Sequence, residues 1–217
     1  DEFFQTPTPI DGASRTDAGV HALSQVAAIT ISHPIKLSGL EKLLNSRLPN
    51  DVGIRELREV ALGFFPRHAV QKKTYVYSLY TSRWQNPLKD RYATRISHQL
   101  DIEAMYNAAQ SLVGTHDFTS FAASDGQAKS NVKTLMKVQL TRPASTRIDL
   151  TFEGSGFLKQ MVRNLTGSLI EVGRRQRDCD WLAQVLEAKD RTKAGPTAPA
   201  RGLTLHSSLV NWQHGET

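Results

Sequence analysis

Within nine residues, Ser14-Arg15-Thr16-Asp17-Ala18-Gly19-Val20-His21-Ala22, the chain gathers a carboxylate, a guanidinium, a hydroxyl and an imidazole around a backbone hinge at Gly19. A positive charge two positions from Asp17 favours the ionised carboxylate, which is then available as a nucleophile or a base. The same spacing also describes a turn in which Asp17 bonds its own backbone and Arg15 is a solvated partner. His21, His116 and Asp117 do not fall into a metal-ligand spacing, so no metal is expected. Cys179 is the single cysteine, which excludes an internal disulfide and a cysteine-based zinc site and points to a reducing compartment.

The elements that must position these groups alternate in an α+β manner. After the loop, residues 25–31 read as a strand. Leu40, Leu43, Leu44 and Leu48 predict a helix over 37–48, stopped by Pro49. Alternation predicts strands over 52–60 and 70–80, the second placing Tyr75, Tyr77 and Leu79 on one face. Residues 81–90, with Trp84, Asn86 and Pro87, read as a linker between halves 1–85 and 86–217. In the second half Asp101 is expected to cap a helix carrying Ile102, Met105, Ala109 and Leu112, with residues 114–118 as its stop and a capping turn. Strands over 132–141 and 147–153 precede a helix over 156–173, whose stripe is Leu158, Met161, Val162, Leu165 and Leu169. A helix over 179–189 and a strand over 203–210 close the chain.

At 217 residues with 39% hydrophobic side chains, the chain can bury a substantial core. Its net charge of +6 raises the local concentration of a polyanion and fits an RNA partner without singling it out. No apolar run is long enough to cross a bilayer and no basic-then-apolar leader opens the chain, so no membrane partner is expected. Because the chain begins at Asp1, a removed targeting segment stays open; a cytoplasmic location is expected, with an organelle as the alternative. Walker, dinucleotide-binding and serine-elbow motifs are absent from the sequence.

The loop closely resembles the R-T-D-A-G-V-H-A signature of tRNA pseudouridine synthases of the TruA family. The resemblance continues in family order through Asn45-Ser46-Arg47-Leu48-Pro49-Asn50-Asp51, Lys73-Thr74-Tyr75-Val76-Tyr77 and Leu112-Val113-Gly114-Thr115-His116-Asp117-Phe118. It then runs through Gly156-Phe157-Leu158 with Met161-Val162-Arg163-Asn164, and Ala194-Gly195-Pro196-Thr197-Ala198-Pro199. It implies two ferredoxin-like α+β halves sharing an extended antiparallel sheet, with the active-site cleft between them. It further implies a homodimer that isomerises uridine to pseudouridine in the anticodon stem-loop of tRNA. The family carries, ahead of the loop, a first strand with a Tyr-Asp-Gly type motif and a helix that find no match here; the expectation is an open edge in the N-terminal sheet. Ser14 stands where the family commonly has Gly.

Isomerisation breaks the N1–C1′ bond, turns the uracil and joins C5 to C1′ without redox change, so no cofactor is expected. It needs a carboxylate beside the base and sugar, a way to take the nucleotide out of its stack, and a wall that retains the detached base. By resemblance Asp17 is the catalytic carboxylate, Tyr75 the active-site tyrosine and Arg163 the arginine that pairs with Asp17. The resemblance likewise implies that Arg15 helps displace the base and that Leu203 forms the apolar wall. Tyr75 and Leu203 could equally be ordinary strand-core residues, and Arg163 a snorkelling surface arginine. Lys72, Lys73 and Arg174, along with Arg175, Arg177, Lys189, Arg191 and Lys193, form basic clusters that read either as phosphate contacts or as solvated faces. The alternative function is a catalytically inactive tRNA-binding or RNA-folding module; a metal-dependent RNA nuclease or deaminase would need clustered ligands that are missing from the sequence.

Overall fold

The computed structural model describes residues 8–32 and 34–213. In chain order it contains β1 (Ile10–Gly12), β2 (His21–Ala22), β3 (Ala27–Ile29), α1 (Leu37–Arg47), α2 (Pro66–Ala69), β4 (Val70–Thr81), α3 (Pro87–Asp90) and β5 (Thr94–Ile96). There follow α4 (Ile102–Gln110), β6 (Gly114–Asp117), β7 (Val132–Ala144), β8 (Arg147–Gly154), α5 (Met161–Gly173), α6 (Trp181–Ala188) and β9 (Leu203–Val210). The fold is α+β, as expected.

The chain forms two compact units. The smaller comprises the described parts of Asp1–Ser14, Val26–Val70 and Val210–Thr217. Here β1 and β3 pair antiparallel, and α1 buries Leu40. The strand expected over 25–31 is confined to the three residues of β3. Residues 52–60 adopt no strand, contrary to their alternation; at Ile54 a side chain of α1 takes the place of a partner strand. The Asn45 side chain accepts from Ile54 N at 2.7 Å and donates to Ile54 O at 3.1 Å, satisfying both backbone groups of that residue.

The larger unit comprises Arg15–Gln25 and Gln71–Leu209. Within it β4 pairs with β8 from Lys73↔Gly154 to Tyr80↔Arg147, which binds residues 73–80 into one sheet with the C-terminal strands. Residues 81–90, expected as a linker, lie inside this unit and include α3, with the Asn86 side chain accepting from Leu88 N.

Among the described residues the larger sheet has the strand order β2-β9-β4-β8-β7-β6, with β5 beside β4. The β4-β8-β7-β6 portion is antiparallel, while β2 joins β9 and β5 joins β4 in parallel, so the sheet is mixed. Tyr75, Tyr77 and Leu79 of β4 lie in one core with Leu150 and Phe152 of β8, and with Met161, Leu165 and Leu169 of α5. Each large apolar side chain buried there contributes about 1.5–3 kcal/mol relative to exposure.

Two further expectations change in detail. Asp101 caps α4, accepting from Ala104 N at 3.0 Å, but Gly114–Asp117 is a strand paired with β7. Gly114, at φ +123°, makes the abrupt reversal out of the helix that any side chain would strain. The capping turn sits one step later, where Asp117 accepts from the Thr119 N–H and hydroxyl. Helix α5 starts at Met161, not at 156, because Gln160 is left-handed at φ 60° and breaks the helical run carrying Leu158.

Candidate active site

The Asp17 loop is a tight turn whose conformation requires its glycine. Val20 N donates to Asp17 O at 3.0 Å across a turn with Gly19 at φ +81°, the positive φ that the third position of a type II turn demands. The strand that follows pins the loop: β2 pairs with β9 through His21↔Thr204 and Ala22↔Leu205, and Leu23 N donates to Leu205 O at 2.9 Å.

Arg163, the third residue of α5, donates from Nη1 to Asp17 Oδ2 at 2.8 Å. The two side chains are only 15% and 22% exposed, so the pair is partly withdrawn from water, where a charge-assisted hydrogen bond is strongest. The guanidinium has a second tie, Nε to Ala198 O at 2.8 Å, and Ala198 N returns a bond to Arg163 O at 3.1 Å. Asp17 is thus oriented by an arginine that is itself held at two points.

The segment 194–199 reaches Arg163 only because small residues let the backbones approach. A Cβ on Gly167 would lie 1.7 Å from Pro196 O, and one on Gly195 would lie 2.8 Å from Ser168 Cα. Polar bonds complete the docking. Arg191 donates to Asn164 Oδ1, Thr197 Oγ1 and Gly195 O at 3.0–3.1 Å, while Asn164 Nδ2 donates to Phe121 O at 2.8 Å. Arg191, grouped in sequence with the basic clusters, is a buttress that ties the segment 194–199 to α5.

Tyr75 is buried beside this pair, edge-on to Phe157 with ring centroids 5.0 Å apart. Burial first, and then the negative charge of Asp17, push its hydroxyl up to about 12. At neutral pH it is therefore a neutral phenol, offering a ring and an O–H.

Tyr77, two residues on, went unsingled by sequence reasoning. Its hydroxyl donates to Pro199 O at 2.7 Å and shares a 2.7 Å bond with the Thr94 hydroxyl. Burial pushes it up to about 12 against the opposing pull of Thr94, Arg163 and Arg201. A Cβ on Gly202 would meet the Tyr77 ring at 2.6 Å, so this tyrosine seats the turn that leads into Leu203. The signal available in sequence was its place in Lys73-Thr74-Tyr75-Val76-Tyr77.

The remaining candidates are dispersed. Leu203 is buried in the core as the first residue of β9. Arg15 is exposed, two residues before Asp17, and Lys73 is half-buried in β4. Lys72 pairs with Glu153 at 2.9 Å. Arg174 pairs with Glu171 at 3.5 Å just beyond the far end of α5, eleven residues and roughly 16 Å along the helix from Arg163. His116 donates to Val113 O and His21 to Arg91 O. Among the described residues no three His, Cys, Asp or Glu side chains sit together as metal ligands would, and no helix is long and apolar enough to cross a membrane.

A family model described as tRNA pseudouridine synthase matches residues 108–208. The tRNA pseudouridine synthase A of Limosilactobacillus reuteri (strain DSM 20016) is 44% identical over 208 residues, covering 95% of this chain and 80% of that one. Its Myxococcus xanthus counterpart is 40% identical over 196 residues, covering 90% and 74%. The Thermotoga neapolitana protein of the same name is 38% identical over 210 residues, covering 96% and 85%. An α+β fold carrying a loop carboxylate, an arginine and a buried tyrosine, with these likenesses, defines the class of isomerases that rearrange a nucleoside. The chain belongs to the tRNA pseudouridine synthase family.

Proposed function

We propose that this protein isomerises uridine to pseudouridine in the anticodon stem-loop of tRNA, with Asp17 as the catalytic carboxylate. The observation that carries the reading is the 2.8 Å Arg163–Asp17 bond beside the buried Tyr75. The reaction conserves every atom: the N1–C1′ bond breaks, C5–C1′ forms, the C5 hydrogen leaves as a proton and N1 gains one. No oxidation state changes, so the steps can be carried by positioned protein groups.

Asp17, held in line by Arg163, acts on the flipped nucleotide at C6 of the base or at C1′ of the ribose. Tyr75, neutral at physiological pH, stacks on the uracil and passes a proton at C5 through its hydroxyl. Leu203 closes the apolar side of the base, and Arg15 fills the space the base leaves in the RNA stem. Lys72, Lys73 and Arg174 supply phosphate contacts, Lys72 and Arg174 by exchanging a carboxylate partner for RNA. A homodimer, with one tRNA touching both subunits, completes the reading.

The test is incubation of purified protein with unmodified tRNA carrying tritium at uridine C5, followed by position-resolved mapping of pseudouridine. Tritium release together with pseudouridine in the anticodon stem-loop is expected. Modification elsewhere refutes the site, and tight binding without release refutes catalysis in favour of an RNA-binding module.

A further inference from the structure

Beside the Asp17 loop lies an aromatic surface that the chemistry above does not use. Tyr92 is 56% exposed. Its ring sits 4.7 Å from the His21 ring at an interplanar angle of 51°, and the Arg91 guanidinium lies 5.8 Å over it. His21 is itself fixed, donating from Nε2 to Arg91 O at 2.8 Å and lying in register with Thr204 of β9. An exposed tyrosine on a solvated turn ordinarily swings freely; this one packs against an imidazole and lies under a cation. What remains open to solvent is aromatic surface next to positive charge.

We propose that Tyr92, braced by His21 and Arg91, is a stacking platform for an unpaired RNA base near the target uridine. The proposal rests on the function proposed above. His21 follows Asp17 by four residues, so the two Cα atoms are at most roughly 14 Å apart, a span of a few nucleotides. Charge selects the occupant: the exposed Arg91 guanidinium lies over the ring and the chain carries net +6, which suits a base with its phosphates. Every base has a π-face, so the platform tolerates any sequence, adding affinity and fixing the strand's path. Tyr92 and Arg91 are positioning residues; neither acts on the reacting atoms.

The experiment uses the full chain and an anticodon stem-loop RNA carrying 2-aminopurine at successive positions flanking the target uridine. Wild type is expected to quench the fluorescence at one flanking position. Tyr92→Phe should keep the quench, and Tyr92→Leu, of similar bulk without a π-face, should abolish it and weaken RNA binding about tenfold. The melting temperature of each variant is expected to stay at the wild-type value, as befits an exposed side chain. Equal quench and affinity in Tyr92→Leu overturns the platform, as does a change in oligomeric state with RNA affinity intact. Tritium release by wild type on the same RNA, labelled at uridine C5, is read separately. Its absence refutes the isomerase reading, while the quench still decides the platform.

Discussion

Replacing Arg163 with lysine keeps a positive charge at the site and removes its geometry. The guanidinium reaches two acceptors through two different nitrogens, Asp17 Oδ2 from Nη1 and Ala198 O from Nε, both at 2.8 Å. A lysine has one nitrogen, so one of these bonds is lost or both are bent. A hydrogen bond to a charged group contributes about 1.5–3 kcal/mol. If Asp17 must be held in line for the base or sugar, that loss falls on the chemical step. At about 1.4 kcal/mol per tenfold, the single-turnover rate of Arg163→Lys should drop by about 10- to 150-fold. RNA affinity should change far less, because the pair is largely withdrawn from solvent. The assay is tritium release from C5-labelled RNA at saturating enzyme, with binding measured on the same preparation. A single-turnover rate within about twofold of wild type, equivalent to ~0.4 kcal/mol, would refute the reasoning.

Other perturbations reach the same site by different routes. Gly167→Ala pushes a methyl to within 1.7 Å of Pro196 O, so the 194–199 segment must shift; the urea midpoint should fall by an equivalent of about 2 kcal/mol or more, with an activity loss beyond that. An unchanged midpoint and rate would mean that the close approach is unimportant. Tyr75 and Tyr77 both titrate near 12 when folded, above their ordinary value of 10.0, so they stay neutral where the unfolded chain has already ionised. Stability should therefore be level below pH 10 and fall as pH rises from 10 towards 12, by up to about 3 kcal/mol for each tyrosine; Tyr77→Phe should flatten part of that fall in urea titrations. A flat profile through this range would contradict the burial argument. Binding of tRNA should weaken linearly in log salt, and a zero slope would remove the basic side chains as a phosphate surface.

The elements with strong periodicity or firm stops could be read from sequence: β4 from its aromatic and β-branched alternation, α1 from its leucines before Pro49, and β9 residue for residue. Residues 52–60 could not: at Ile54 the backbone is satisfied by the side chain of Asn45, and alternation says nothing about who satisfies the backbone. The late start of α5 depends on one left-handed non-glycine residue, Gln160, for which no residue-type rule exists. At the site the local pattern pointed to Arg15 as the charge near Asp17, whereas the bond comes from Arg163, 146 residues away. Family resemblance supplied that pairing; spacing alone does not carry it. The buttress formed by Arg191, Asn164 and Thr197 was hidden for the same reason, since its members meet only after α5 and the segment 191–199 have packed.

The most direct test of the account is Asp17→Asn, which keeps size and shape and removes the ionisable carboxylate. Turnover on C5-tritiated tRNA and affinity for the same tRNA are measured together on one preparation. The account predicts that isomerisation is abolished while binding remains close to wild type. Turnover near the wild-type rate would contradict it and remove Asp17 as the essential group.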